Sequence, residues 1–323
     1  MKNKIHFRRT ILSLGVLFLI FNIMAYMHAY RFTHVIDQGV RTKNAEALSL
    51  WGKIRILFTG VTVIKRPNIT TPEDIGYVFM SKTIHGEELN TPVWEIQHET
   101  PKRMVILFHG YNGNKSSLLF LTDWLVQQQS NVILVDFPGC GDSPYNWTSI
   151  GYRESEIVYD VYHHYQSQTD QPIILYGISL GASSIVAAFH QYSLNPDGLI
   201  LEMPFGSLLQ TVGQRFKLMG FPVTFPFAEM LVFWGSVQMK YNAFAFNPIK
   251  YAGDVSVPTL LFGGEVDFRV PATTLNKMYD QLQGPKKIHI FKGAGHYSLF
   301  VERPDEYRHI VLEFFINLEE IDY

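Results

Sequence analysis

With one cysteine, Cys140, the chain can form no disulfide within itself. Its stability must come from a packed core, and 323 residues are ample for one. Charge is scarce as well. Asp, Glu, Lys and Arg supply 17% of the residues, the formal net charge is −2, and no basic block occurs, which excludes nucleic acid as a partner. Internal repeats and low-complexity segments are absent, which excludes solenoids and disordered tails.

Against this background one stretch stands out. Gly177-Ile178-Ser179-Leu180-Gly181 follows the apolar run Ile173-Ile174-Leu175-Tyr176 and precedes Ala182-Ser183-Ser184-Ile185-Val186. That context predicts a strand, a sharp turn and a helix. A serine at such a turn is held in a strained backbone conformation with its hydroxyl at the C-terminal edge of a sheet. Side chains in place of the flanking glycines would strike the neighbouring strand and helix. Ser179 is therefore the candidate nucleophile.

A serine hydroxyl is a weak nucleophile at its own pKa, so it needs a base, and the base needs an orienting acid. Downstream, the strand-like Val257–Gly264 run opens directly onto Glu265-Val266-Asp267, ahead of a helix that Pro271 can start. The next short strand, Lys287–Lys292, runs into Gly293-Ala294-Gly295-His296. Two successive strand ends thus deliver an acid, Asp267, and a base, His296. Rivals exist. Glu202 ends a strand and Glu265 lies two residues from Asp267. Of the twelve histidines, His163, His164 and His190 fall on predicted helices, and His289 lies inside a strand. Residue type, chain order and strand-end position together select Ser179, Asp267 and His296.

The strand Met104–Phe108 leads into His109-Gly110-Tyr111-Asn112-Gly113. A glycine-rich turn there can aim a backbone N–H at a developing oxyanion, and the amides of Tyr111 and Leu180 are the candidate donors. His109 is expected to brace that turn rather than to act as a base.

These segments, with Asp136-Phe137-Pro138-Gly139-Cys140-Gly141-Asp142-Ser143, make the chain resemble the α/β-hydrolase superfamily over roughly residues 74 to 319. Within it the chain looks most like the membrane-anchored Bem46-like and serine-aminopeptidase-like hydrolases with a small cap. The resemblance implies a Ser-His-Asp triad, no metal and no organic cofactor. It does not imply one substrate. Cys140 stands where histidine or arginine is commoner, at a position that is not catalytic.

The first thirty residues are a different material. Lys2, Lys4, Arg8 and Arg9 precede an uncharged stretch from residue 10 to 30. A helix of that length rises about 30 Å, enough to cross a hydrocarbon core. Small-x-small cleavage sites are poor, since Met27 precedes Ala29 and Ile23 precedes Ala25 by two positions. An uncleaved anchor is expected ahead of the alternative, a cleaved signal and a secreted protein. The basic residues put the N-terminus in the cytoplasm and the catalytic domain outside it. Residues 31 to 73 read as a connector. In it Leu48, Trp51, Ile54, Phe58 and Val61 approach helical spacing, packed on the catalytic domain or lying on the membrane surface. Asn68-Ile69-Thr70 and Asn146-Trp147-Thr148 match glycosylation sequons, which chance explains.

From residue 74 on, an initial hairpin read from Tyr77–Met80 and Val93–Ile96 is followed by alternating strands and helices. That order calls for a mostly parallel, doubly wound sheet with helices on both faces. Ligands then bind beyond the C-terminal strand ends. Residues 205 to 250 interrupt the alternation as a cap, rich in aromatics and broken by Pro222 and Pro226. Phe205, Phe221, Phe225 and Phe233 are its candidate pocket walls. An apolar cap predicts a small-molecule or lipid-like acyl substrate, an ester or thioester. Aminopeptidase-like amide hydrolysis is the second reading, with Glu202 and Glu265 the candidates for holding an amine. A non-catalytic anchored binding protein is the third.

Overall fold

The computed structural model describes residues 2–40, 42, 48–221 and 223–321. Pro222 lies outside the described residues, as do the side chains of Lys2, Lys4 and Phe58.

A long helix, α1 (Lys2–Thr33), and a shorter one, α2 (Leu50–Thr59), precede the hairpin β1 (Met80–His85) and β2 (Asn90–Ile96). Then come β3 (Arg103–Phe108), α3 (Leu119–Gln127), β4 (Ser130–Val135), α4 (Glu154–Gln166), β5 (Ile173–Ile178), α5 (Leu180–Gln191) and β6 (Gly198–Glu202). Two cap helices follow, α6 (Leu208–Leu218) and α7 (Phe227–Met239). The single turn α8 (Pro248–Tyr251) leads back to β7 (Thr259–Gly264), α9 (Ala272–Gln281) and β8 (Lys286–Phe291). The turn α10 (Leu299–Glu302) and α11 (Pro304–Ile321) complete the described chain.

The eight strands form one sheet in the order β1-β2-β4-β3-β5-β6-β7-β8. β1, β2 and β4 pair antiparallel, and β4 through β8 pair parallel. The central strands are near-continuous apolar runs because helices cover both faces. One core forms under α4, α5 and α9, and the other under α3 and α11. The first strand starts at Met80, later than the Tyr77–Met80 run suggests. Tyr77 and Phe79 are drawn sideways instead: the Tyr77 hydroxyl donates to Asp123 of α3 (2.7 Å), and Phe79 meets Trp94 edge-on.

The connector is built into the domain. The Thr148 amide donates to the Thr33 carbonyl (2.7 Å) and the Val35 amide to that of Asn146 (3.0 Å). α2 is capped by Ser49, whose side chain accepts from the Gly52 amide, and it ends at Gly60, φ +72°. Ile56 is buried and the Lys53 ammonium donates to the Leu218 carbonyl of α6 (3.3 Å), so α2 packs on the cap. Leu50 and Trp51 on the same helix remain exposed. Asn68, the first sequon residue, is engaged inside the protein, where its side chain donates to Asp136 (2.8 Å) and accepts from the Ser116 amide (3.2 Å).

α1 has the character of a membrane span. Residues 6–33 form a 28-residue helix whose most apolar 18-residue stretch has mean hydropathy 2.1, and Ile11, Leu12, Leu14, Phe18 and Leu19 are all exposed.

Candidate active site

β5 ends at Ile178, and the chain turns into α5 through Ser179, whose φ of 51° and ψ of −102° lie outside the ordinary regions for a residue with a side chain. Such strain costs about 1–3 kcal/mol and persists because the surroundings over-determine it. Those surroundings are close. A Cβ on Gly177 would stand 2.4 Å from the Ala182 nitrogen, and one on Gly181 2.2 Å from the Phe108 carbonyl oxygen. The Ser179 amide donates to the Glu202 carbonyl of β6 (2.7 Å), pinning the turn to the next strand.

The two later strand ends converge on the serine. His296 Nε2 lies 3.2 Å from Ser179 Oγ, and His296 Nδ1 lies 2.6 Å from Asp267 Oδ2. Asp267 is buried, and its other oxygen accepts from the amides of Arg269 (2.8 Å) and Val270 (2.9 Å), which fix the carboxylate plane. With Nδ1–H donating to a carboxylate, Nε2 faces the serine as an acceptor. This arrangement can draw a proton from Oγ and return it to a leaving group.

The rival residues are otherwise engaged. The Glu202 side chain points to the opposite face of the sheet, where the hydroxyls of Tyr176 and Tyr307 donate to Oε1. Burial pushes its carboxyl up to about 7. Glu265 accepts from the Gly293 amide (2.9 Å). His190 pairs with Asp254 and His289 with Glu306. His109 is fully buried: Nε2 accepts from the Phe137 amide (3.1 Å), so Nδ1 carries the proton donated to the Gly110 carbonyl (2.8 Å). Burial lowers its pKa, which keeps it neutral and bracing the loop.

Tyr111 and Leu180 both stand with Ser179 and His296 on the wall of one cavity. Its empty space is roughly 1300 Å³ with open solvent included, and its lining is overwhelmingly apolar. Of the aromatic residues expected to wall it, Phe205 does. Phe221, Phe225 and Phe233 do not. Phe221 packs edge-on against Phe216, while Phe225 and Phe233 are exposed, at 70% and 49%. For Phe233 the reason is helical phase: α7 turns Leu231, Val232, Gly235 and Met239 to the cavity and Phe233 away from it, while Phe221 and Phe225 lie in the loop between α6 and α7. Phe216 of α6 lines the wall that Phe221 was expected to fill.

Two features escaped sequence reasoning. The last turns of α1 supply His28, Ala29, Phe32 and Thr33 to the same wall, and α2 supplies Ile56. Hydropathy marks α1 as a span and carries no signal that its end lines the cavity beside Ser179. Arg215 and Arg269 also reach the site, lining both the apolar cavity and a more polar groove that shares Ser179 and His296 with it. Arg269, two residues after Asp267, was legible by position.

Residues 105–310 match the model of the alpha/beta hydrolase family. The chain is 23% identical over 226 residues to the Bacillus subtilis protein YqkD, covering 69% of this chain and 74% of that one. An uncharacterised membrane protein of Saccharomyces cerevisiae is 22% identical over 261 residues, 78% of this chain and 84% of its own. Among solved structures, the Pyrococcus furiosus esterase Pf2001 superposes with a TM-score of 0.65 at 18% identity, covering 80% of this chain and 99% of the esterase.

Proposed function

The chain belongs to the alpha/beta hydrolase family, and we propose that it is a membrane-anchored serine hydrolase that cleaves an ester or thioester of an apolar acyl group. The observation that carries this reading is the relay from Asp267 through His296 to Ser179, set at the mouth of an apolar cavity. Ser179 Oγ attacks the acyl carbonyl as His296 Nε2 takes its proton. The amides of Tyr111 and Leu180 hold the oxyanion. The carbonyl re-forms, the C–O or C–S bond breaks, and His296 protonates the leaving group. Water, deprotonated by His296, then attacks the acyl-enzyme and regenerates Ser179.

Amide hydrolysis with free-amine recognition is the weaker reading, because Glu202 faces away from the cavity and Glu265 is spent on the Gly293 amide. A binding protein without turnover has no use for an aligned acid and base. α1 serves as the anchor in this reading, and the basic residues ahead of residue 10 favour a catalytic domain on the non-cytoplasmic side.

The test is fluorophosphonate labelling of the full-length protein in detergent, with a panel of acyl esters, thioesters and aminoacyl amides. Labelling should vanish in Ser179→Ala, and esters of medium or long acyl chains should turn over fastest. Labelling that survives the substitution removes Ser179 as nucleophile, and preference for aminoacyl amides reverses the order of the readings.

A further inference from the structure

The hydrophobic span and the cap are one packed unit. α7 runs alongside the second half of α1 in the same direction. Phe227 meets Phe21 edge-on at 5.9 Å between ring centroids, Trp234 meets Tyr26 at 5.4 Å, and Gln238 donates to the Tyr26 carbonyl (2.8 Å). The Trp234 indole N–H donates to the Asn22 side chain (3.3 Å). Asn22 sits within the apolar run, and a polar side chain at such depth is paired rather than left in hydrocarbon.

These contacts fix where the cap lies. A span that starts at Thr10, after Arg8 and Arg9, needs about twenty residues to cross the hydrocarbon and leaves it near Ala29. Phe21 is then about 12 Å below that boundary at 1.5 Å per residue. Its partner Phe227 begins α7, so the α6–α7 hairpin must descend beside α1. The outward face of the hairpin agrees. Val223, Phe225, Phe227, Phe233 and Val237 are exposed, an apolar face with no reason to meet water. Lys217 is the exposed charge behind the tip, and its four-carbon stem can carry the ammonium to headgroup level.

The cavity that holds Ser179 is walled by these same helices, with Ala29 and Phe32 on one side and Leu231, Val232 and Gly235 on the other. We propose that the hairpin is seated in the bilayer beside α1, and that the substrate is a bilayer-resident lipid ester that reaches Ser179 along the α1–α7 seam. This rests on the hydrolase reading of Ser179 for its chemistry, but the seating of the hairpin stands on the packing alone.

The experiment uses full-length protein in phosphatidylcholine nanodiscs. On a Cys140→Ser background, spin labels are placed at Val223→Cys and Val237→Cys, with Val78→Cys, ahead of edge strand β1, as the aqueous control. Labels at 223 and 237 should relax with oxygen, and the label at 78 with a water-soluble nickel chelate. Nickel accessibility at 223 and 237 overturns the seating. In parallel, the double variant Val223→Asp, Val237→Asp should lose at least tenfold in turnover of a long-chain lipid ester held in the bilayer. It should keep fluorophosphonate labelling and short soluble ester turnover within twofold. Equal loss on both substrates, or none on either, overturns lateral entry. If wild-type protein neither labels nor turns over esters, the hydrolase reading fails, while the spin-label depths still decide the seating.

Discussion

The Tyr111 hydroxyl donates to the Phe32 carbonyl over 2.7 Å, tying the loop proposed to hold the oxyanion to the last turn of the N-terminal helix. Burial raises the phenol pKa, so it stays a donor at any working pH. The span and the oxyanion loop therefore share a bond that neither would need if α1 were only a tether. Tyr111→Phe keeps the backbone amide and the ring and removes that bond, worth about 1 kcal/mol. Second-order fluorophosphonate labelling should slow about fivefold, the rate equivalent of that energy. Unchanged labelling would separate the loop from the helix.

The relation between α1 and Tyr111 also marks where sequence reading ends. Ser179, Asp267 and His296 were legible because each follows a strand, and parallel strands bring their C-terminal ends to one edge of a sheet. The same logic located the sheet, the cap insertion and the candidate loop at Gly110–Tyr111. Pocket walls were not legible in this way. Phe205 follows β6 directly, so its placement is inherited from the strand. Phe233 depends on how α7 rotates about its own axis, and Phe221 and Phe225 on the path of the loop between α6 and α7, and composition is blind to both. The Asp136–Ser143 segment was recognised as a motif, but its physics needed coordinates. Gly141, φ +49°, passes so close to Asp136 that a Cβ would lie 2.1 Å from the carboxylate, which binds buried Lys115 (3.2 Å) and the Asp142 amide (2.8 Å).

Glu202 gives a pH prediction. Burial raises its folded pKa to about 7 from the ordinary 4.5 of a glutamate, so the folded state holds a proton that the unfolded chain releases. Between these values the folded state binds more protons, and stability falls as pH rises from about 4.5 to about 7. The loss is about 3 kcal/mol at most, from 1.36 kcal/mol per unit. Glu202→Gln mimics the protonated acid and removes that slope. Thermal melts at pH 5 and pH 8 should differ less in the variant than in the parent, with the variant gaining relative stability at pH 8. An identical pH difference in both proteins would show that Glu202 does not titrate in this window.

Gly181 and Gly235 make opposite predictions for the same substitution. At Gly181 an added Cβ meets the Phe108 carbonyl oxygen at 2.2 Å, a backbone atom of a central strand that cannot yield as a flexible side chain would. Gly181→Ala should cost about 3 kcal/mol or more and lower the melting temperature clearly. At Gly235, inside α7, a Cβ meets nothing within 4 Å. Gly235→Ala should stabilise the helix by up to about 1 kcal/mol. A melt in which both variants behave alike would contradict the packing of α5 against β3.

Whether α1 is a wall or only a tether is decided at Ala29. The residue is 3% exposed and lines the cavity together with Leu231 and Val232 of α7. A larger side chain there has two places to go: into the cavity, or against α7. Ala29→Leu should therefore shorten the acyl chain that fits, lowering kcat/KM for long-chain esters at least tenfold while acetyl ester turnover stays within about threefold. Overpacking of this kind also costs about 1–3 kcal/mol, so a modest fall in melting temperature is expected alongside. Leu14 offers the contrast, since it is exposed on the first half of α1 and does not line the cavity. Leu14→Ala leaves the span apolar and should change neither chain-length preference nor labelling rate. A helix that merely tethers would make the two substitutions equivalent, with flat chain-length profiles in both. A wall predicts a profile that shifts with Ala29→Leu alone.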